Sequence, residues 1–227
     1  MQYNRLFLLV AISTCFVTQS FSQKGRYPIQ NGFAITGGIT KFDITTNNFI
    51  TKQAQGFLGG ISSDVDISLR WYNVSFGMQL SESSIEILGR PALVSSQDEY
   101  IKYKMFAAQV AMLMQIKVIQ NHFTIDLGPM LQYNSRLELK DKAQEGYYVN
   151  NYSNLSAEDI SDISQFNLNG AVGVSVGIKN FKLKAQYIYG LTNILKKLEN
   201  QDIDTSGGNA RFKGNQNMLV LGAVASF

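Results

Sequence analysis

Alternation of apolar and polar residues is the dominant pattern along this chain, and it is clearest between Phe57 and Leu80. Every second residue from Phe57 onward belongs to a mostly apolar set, while the positions between them carry the carboxylates of Asp64 and Asp66. After an interruption at Arg70–Asn73 the alternation resumes and continues to Leu80. A period of two with a turn in the middle predicts a β-hairpin with one apolar and one polar face.

The same alternation recurs along the rest of the chain, so that eight strands are predicted in all. The hairpin supplies the second and third strands. The others run approximately over Gly32–Asp43, Tyr100–Ile116, His122–Asn134, Phe166–Ile178, Phe181–Gly190 and Leu219–Phe227. Within the fifth strand Pro129 cannot donate a hydrogen bond, which predicts a bulge or a local gap in pairing.

The connections between these strands alternate in length. The long ones are Thr45–Gln53, Glu82–Glu99, Ser135–Ser164 and Asn193–Gln216, and the short ones are Arg70–Asn73, Lys117–Asn121 and the turn Lys179–Asn180. Outer-membrane barrels have long extracellular loops and tight periplasmic turns, whereas a soluble sandwich has no reason to sort its loops in this way. We therefore predict an all-β fold, namely an eight-stranded antiparallel up-and-down transmembrane β-barrel with four long outer loops and three short periplasmic turns.

Two of the long connections also contain signals of local structure. Ile85 and Ile87 predict that the third strand extends beyond the membrane. The segment Ser156-Ala-Glu-Asp159 resembles a helix-start box, which predicts a short helix over residues 157–163.

Aromatic residues cluster at both ends of the predicted strands. One group lies beside the short turns and the C-terminus (Trp71, Tyr72, Phe123, Phe181, Phe227), and the other lies at the opposite ends (Phe57, Tyr133, Phe166, Tyr187, Tyr189). Two aromatic belts are typical of the interfaces between a membrane barrel and water.

Composition narrows the class of protein further. Of the 227 residues 45% are hydrophobic and only 16% are charged, against about a quarter in a typical soluble domain. No apolar run of about 18 residues follows the N-terminus, which argues against a helical membrane protein. The net charge of +3 and the scattered lysines argue against binding to nucleic acid.

The N-terminus has the features of a cleaved signal peptide. Arg5 precedes a short apolar core at residues 6–12, and Ser20-Phe21-Ser22 provides a small-x-small cleavage pattern. We therefore expect residues 1–22 to be removed and residues 23–227 to form the barrel domain. The only cysteine, Cys15, lies in the signal, so no disulfide and no thiolate chemistry is expected.

Five charged residues fall on the inward-facing parity of the predicted strands: Asp64, Asp66, Asp126, Lys182 and Lys184. They could serve acid–base chemistry or form a charged constriction. The lumen of an eight-stranded barrel is just wide enough for side chains to fill it, which favours an ion-paired and hydrogen-bonded interior instead.

No other pattern predicts chemistry. His122, the only histidine, has no companion ligand for a metal ion. Gly56–Gly60 lacks the lysine and helix of a phosphate-binding loop, and neither Asp202–Asp204 nor Glu158–Asp159 has the spacing of a calcium loop. No nucleophile and base are paired. We predict no catalytic, cofactor-binding or metal-binding residue, and no enzymatic activity.

Short motifs in this chain resemble those of PorT-type outer-membrane β-barrel proteins, which have OmpA- or OmpX-sized barrels. They are Gly56-Phe57-Leu58-Gly59-Gly60, the segment Tyr187-Ile-Tyr-Gly-Leu-Thr-Asn-Ile194, the final strand ending in Phe227, and the signal ending Ser-Phe-Ser-Gln. The resemblance implies an eight-stranded barrel in the outer membrane of a Gram-negative bacterium. Its name-giving members are linked to a secretion apparatus, but no residue here transfers that role.

Three functional hypotheses follow from the sequence. The first is a non-enzymatic barrel that contacts outer-membrane lipid and acts through its outer loops, above all the tyrosine-rich loop Ser135–Ser164. The partners expected for these loops are other envelope or secretion-system proteins. The second is a narrow diffusion pore, opened by inward-facing glycines (Gly60, Gly77, Gly128, Gly173, Gly177, Gly190, Gly222). The third is a soluble periplasmic barrel that holds a lipid, with apolar residues inside.

Overall fold

The computed structural model describes residues 29–67, 69–95, 97–178 and 180–227. The predicted signal peptide at 1–22 and Lys179 of the predicted turn lie outside these residues. Eight long strands are present: β1 Ile29–Thr46, β2 Thr51–Ile67, β3 Tyr72–Arg90, β4 Glu99–Ile119, β5 Phe123–Asn134, β6 Phe166–Ile178, β7 Phe181–Gly190 and β8 Gly214–Ser226.

Each strand pairs antiparallel with its neighbours in the chain, and β1 pairs with β8 from Ala34–Ser226 to Thr46–Gly214. This last pairing closes the sheet into a ring, which confirms the predicted eight-stranded up-and-down barrel. Within the spanning section of the described residues, closure leaves no open sheet edge, which is the condition under which strands can satisfy their backbone groups in lipid. None of the described residues forms a helix long and apolar enough to cross a membrane.

The side chains alternate between lumen and outer wall as predicted. Phe76, Leu127 and Val174 point outward with 58%, 36% and 40% of their surface exposed, whereas Asp126 and Gln132 are buried inside. Further apolar side chains complete an exposed belt around the barrel: Ile35, Ile39, Ile61, Met78, Val110, Met112, Leu131, Val172, Leu183 and Leu221. A continuous belt of this kind requires an apolar surrounding. It contradicts the soluble lipid-binding barrel, which needs the opposite arrangement.

Aromatic residues border this belt on both sides. The predicted outer group is exposed throughout (Phe57, Tyr133, Phe166, Tyr187, Tyr189), and Trp71, Phe181 and Phe227 are exposed at the periplasmic end. Tyr133 and Phe166 of adjacent strands pack edge to face at 4.9 Å between ring centroids, as do Trp71 and Tyr72 at 5.1 Å. These rings mark the two interfaces of the membrane-spanning section.

Strands β1 to β4 extend beyond the outer aromatic belt, and there the alternation reverses on β1, β3 and β4. On β3 the inward residues change from Ser81 and Ser83 to Ile85 and Ile87, which are almost completely buried. The outward residues change from Leu80 to acidic side chains such as that of Glu82. An apolar inside with a polar outside is the pattern of a protein in water. The third strand therefore leaves the membrane as predicted, and two predicted loops shrink to residues 47–50 and 91–98.

The projecting strand ends and the outer loops form what we call the headpiece: residues 41–55, 82–106, 135–165 and 191–213. Its core combines buried residues of the strands (Phe42, Ile44, Ile85, Ile87, Ile101, Tyr103) with buried residues of the loops (Phe49, Leu137, Val149, Tyr152, Leu155, Ile160, Ile163, Ile194, Leu195, Leu198, Phe212). The first, third and fourth outer loops therefore share a common hydrophobic core.

Loop residues also cover the strand edge that the short β5 leaves open. β5 ends at Asn134, whereas β4 continues outward to Glu99. Glu138–Leu139 pairs with part of this edge, and the Gln144 side chain accepts a hydrogen bond from Lys102 N (2.9 Å) and donates one to Tyr100 O (3.0 Å). The amide thus replaces a missing strand and satisfies the backbone.

The predicted helix at 157–163 is wrong, although its start signal is formed. Ser156 N donates to Asp159 Oδ2 (2.9 Å) and Asp159 N donates to Ser156 Oγ (3.3 Å), but the chain makes only a turn at 157–160. Ile160 and Ile163 are both buried in the headpiece core, and Ser161 O accepts a hydrogen bond from Leu137 N. Tertiary packing therefore prevents the turn at 157–160 from continuing as a helix.

Pro129 produces the predicted gap in pairing. Between β4 and β5 the pairs Ala111–Met130 and Met114–Leu127 flank a stretch without paired residues, and the register is the same on both sides. The irregularity is a local gap and not a bulge, because proline removes a donor without adding a residue.

Candidate functional site: the barrel lumen and the headpiece

The most deeply buried charge in the lumen is Asp126 on β5. Its carboxylate accepts hydrogen bonds from Thr124 Oγ1 (2.8 Å) and Ser175 Oγ (2.6 Å), and Lys184 Nζ of β7 lies 3.8 Å away. Asp126 has no exposed surface. A buried carboxylate with this many partners is stabilised in one position, which suits a structural role.

A second charge pair lies near the periplasmic end. Lys117 Nζ is 2.7 Å from Asp66 Oδ1, and Asn121 Nδ2 donates to Asp66 Oδ2 at 2.7 Å. Asn73 Nδ2 in turn donates to Asn121 Oδ1 at 3.1 Å. The network links β2, β3 and β4 at the level of their short turns. Lys117 was assigned to a turn from the sequence, so this pair was not predicted.

Asp64 and Lys182 line a polar vestibule of about 280 Å³ at the periplasmic mouth. Both also line a smaller cavity of about 50 Å³ that reaches Asp126 and Lys184. The five predicted lumen residues therefore do face the interior, as the alternation required. Among the described residues, no group of three His, Cys, Asp or Glu side chains is placed to hold a metal ion.

A layer of amides closes the lumen above these charges. Gln79 Nε2 donates to Gln109 Oε1 (2.5 Å), and Gln109 Nε2 donates to Gln132 Oε1 (2.6 Å). Gln216 Nε2 and Asn169 Nδ2 each donate to Gln132 Oε1 at 2.8 Å. The side chains of β3, β4, β5, β6 and β8 thus meet in the middle of the barrel, and the headpiece core lies on top of them.

The inward-facing glycines do not open a path through this layer. A β-carbon added at Gly60 or Gly173 would lie 2.7 Å from the nearest atom of the adjacent strand, and one at Gly222 would lie 2.5 Å from Gly37 O. Their missing side chains are already replaced by neighbouring chain segments. The second hypothesis, a diffusion pore, thus has no channel among the described residues to support it.

The tyrosine-rich loop contains a buried tyrosine. The Tyr152 ring is buried and lies parallel to that of Phe212 at 5.9 Å between centroids. Its hydroxyl donates to Asn209 O (2.9 Å) and accepts from Asn48 Nδ2 (2.9 Å), and burial raises its pKa. The loop 135–164 therefore contributes to the headpiece core. The prediction that this loop is the likeliest contact surface stays a prediction, but the buried Tyr152 is not available for such a contact.

Charge pairs tie the third and fourth outer loops together. Lys197 Nζ lies 2.6 Å from Asp162 Oδ1 across the two loops. Within the fourth loop Glu199 accepts hydrogen bonds from Lys196 Nζ (2.9 Å) and from Phe212 N (3.1 Å). The bond from Lys196 is the main reason that the pKa of Glu199 lies below its usual value of 4.5. Sequence spacing contains no signal for contacts across loops.

The tip of the second outer loop exposes apolar side chains to water. Leu93 and Val94 are 50% and 97% exposed. Beside them, Arg90 Nη2 donates to Tyr152 O (2.8 Å) and Ser153 O (3.0 Å), which attaches the base of this loop to the third one. Exposed apolar residues on a loop whose base is attached to the rest of the headpiece are typical of a contact surface.

No protein-family model and no curated protein matches this chain. Solved structures resemble it: Neisserial surface protein A (NspA) is 14% identical over 86% of this chain and 97% of that chain, with a TM-score of 0.47. Ail, the attachment invasion locus protein of Yersinia pestis, in complex with the heparin analogue sucrose octasulfate is 11% identical over 87% of this chain and 99% of that chain, with a TM-score of 0.41. The structure of Ail in a phospholipid bilayer nanodisc is 12% identical over 87% and 100%, with a TM-score of 0.40. Membership of the PorT-type proteins stays a prediction.

Proposed function

We propose that this chain is a non-enzymatic, integral β-barrel protein of the outer membrane of a Gram-negative bacterium, and that its headpiece contacts other proteins of the cell envelope. The supporting observation is the reversal of the side-chain pattern along β1, β3 and β4. Apolar residues face outward in the spanning section and inward in the headpiece. The chain therefore presents an apolar outer surface to the membrane in its spanning section and a polar outer surface to water in its headpiece.

The headpiece is the part that is suited to recognition. A hydrophobic core holds its first, third and fourth loops, and Arg90 attaches the base of the second loop to the third, so a contact surface on it would lose little conformational entropy on binding. Leu93 and Val94 are its most exposed apolar tip, which makes loop 91–98 the proposed contact segment in place of loop 135–164. A role in a secretion or envelope assembly, as in PorT-type proteins, is the form of this function that we propose.

Two measurements test the two parts separately. A closed barrel resists detergent until it is boiled, so the membrane-extracted protein should migrate faster in a gel before heating than after it. A photo-crosslinking amino acid at Val94 should then give a discrete crosslinked band in intact cells, and the same group at Ser206, an exposed polar residue of the fourth loop, should give none.

The two outcomes are independent. Migration that does not change on heating would refute the membrane barrel. A heat-dependent shift combined with equal crosslinking at Val94 and Ser206 would retain the barrel and reject the contact segment. Purified protein in planar bilayers should show no reproducible conductance steps. In the part of the chain that the structure describes, the amide layer and the headpiece core fill the interior of the barrel.

A further inference from the structure

A groove of about 700 Å³ crosses the outer wall of the barrel where β2, β3 and β4 leave the membrane. Phe57, Phe106 and Tyr133 of the outer aromatic belt line it, and Glu82 lies at its outer end. Its volume falls within the range of roughly 300–1,000 Å³ that is usual for ligand sites. The groove is therefore large enough for part of a lipid. A second apolar groove, lined by Ile125, Val172, Val174 and Leu219 on the other side of the belt, is smaller at about 250 Å³.

Small residues create this groove. Gly59, Leu80, Ala108 and Tyr133 are paired in sequence across four adjacent strands, so they share one level of the wall. At this level Gly59 and Ala108 lie on either side of Leu80, and because both are small they leave space on the outer wall. A β-carbon at Gly59 would meet no atom within 4 Å, which shows that the space above it is open.

Glu82 is placed unusually for an acidic residue. Its strand neighbours at the same level are Phe57 on one side and Phe106 on the other. Other outward-facing acids of this wall have partners: Glu86 lies 3.4 Å from Lys52 Nζ. Within the described part of the chain, the Glu82 carboxylate has no ion pair and no side-chain hydrogen bond. A charge at the edge of an apolar medium is costly unless it is paired.

We propose that this groove binds a membrane lipid whose headgroup carries a primary amine. The acyl chain lies over Gly59 and Ala108, and the ammonium group pairs with Glu82 between the two phenylalanine rings. Lys104 Nζ, which lies 5.8 Å from the centre of the Phe106 ring and pairs with Glu138 Oε2 at 3.3 Å, supplies a partly exposed positive charge beside that ring for the phosphate of such a lipid. The inference rests on the proposed membrane location and adds the class of lipid.

Native mass spectrometry of the purified full-length protein in detergent tests this directly. The probes are dioleoyl phosphatidylethanolamine, which has the amine, and dioleoyl phosphatidylglycerol, which has the same chains without it. We expect about fivefold more of the amine lipid to be bound at equal concentration, the value for a partly exposed ion pair of about 1 kcal/mol. Glu82→Gln should reduce this ratio to about one, because it removes the charge and keeps the shape.

A second variant tests the groove itself. Ala108→Leu should lower the binding of both lipids by filling the groove. Gly170→Leu is its matched control: Gly170 also faces outward with no atom within 4 Å of an added β-carbon, but it lies on β6, away from the groove, and should leave binding unchanged.

Equal binding of the two lipids by the unmodified protein would overturn the proposal, and so would a ratio that Glu82→Gln does not change. Heat-dependent gel migration is recorded for every sample. If it is lost in the unmodified protein, the membrane barrel fails; if it is present and the lipid ratio is one, only the lipid site fails.

Discussion

Phe212 offers the sharpest test of whether the outer loops form a single packed unit. It belongs to the fourth outer loop, has no exposed surface, and lies 5.9 Å from the ring centres of both Phe49 and Tyr152, which come from two other outer loops. Phe212→Ala removes the ring at the point where three loops meet. The barrel strands keep all of their own pairs.

The expected loss of headpiece stability is large for a single substitution. Truncating a fully buried phenylalanine to alanine costs about 3–5 kcal/mol, because apolar contacts are lost and a cavity remains. If only the headpiece opens, its open population rises roughly a hundredfold to several thousandfold at this cost. The spanning section should be unaffected, since Phe212 lies outside it.

Limited trypsin digestion of protein embedded in vesicles measures the effect. Arg211 and Lys213 flank the mutated residue and are exposed, so cleavage there should accelerate in proportion to the open population. Heat-dependent gel migration should remain normal. Leu183→Ala, which trims an exposed side chain of the lipid-facing belt, is the control and should leave the cleavage rate unchanged.

Two results would refute this reasoning. If Phe212→Ala is cleaved no faster than the unmodified protein, the loops do not share the core that the structure shows. If the variant fails to form a heat-modifiable barrel, the headpiece is required for assembly of the spanning section and is not a separate local unit.

Three further outcomes are expected. Lys184→Met should destabilise the barrel by about 3–5 kcal/mol in urea titrations because it leaves Asp126 buried and unpaired, and adding Asp126→Asn should recover much of this loss; no recovery would contradict the pairing. Gly128→Val should prevent assembly, because a β-carbon there overlaps the backbone of β4, whereas Gly170→Val should assemble normally; equal yields of folded protein would disprove the close approach. Since the pKa of Glu199 is lowered in the folded headpiece, its contribution to stability is present above pH 4.5 and is lost as the pH falls through the lowered value. Glu199→Gln should therefore increase the rate of trypsin cleavage at neutral pH. At low pH, where chymotrypsin or pepsin replaces trypsin, the variant and the unmodified protein should be cleaved at the same rate. A difference in cleavage rate that is independent of pH would contradict this.

The structure of the spanning section could be predicted from the sequence because side chains along a strand alternate with a strict period of two. Along β5 this period separates Leu127 and Leu131 from Asp126 and Gln132 without reference to any other part of the chain. The pairing gap at Pro129 was equally local, since proline lacks the donor in every context. Strand number, facing and the position of the aromatic belts all follow from such local rules.

The packing of the headpiece could not be predicted from the sequence in the same way. Its core joins Phe49, Tyr152 and Phe212, which are far apart in the chain and follow no common period. The box at Ser156–Asp159 predicted a helix by a local rule, and packing of Ile160 against distant residues overruled it.

Sequence alone determined which residues face lipid and which face the lumen, because that choice depends only on the order of neighbours along a strand. Tertiary structure alone decided that the loops become a packed headpiece and that the amides around Gln132 close the lumen. It also decided that Glu82 lies between two aromatic rings with no ion pair among the described residues. These features depend on which strands and loops become neighbours across the barrel, and closure of the ring is what sets those distances.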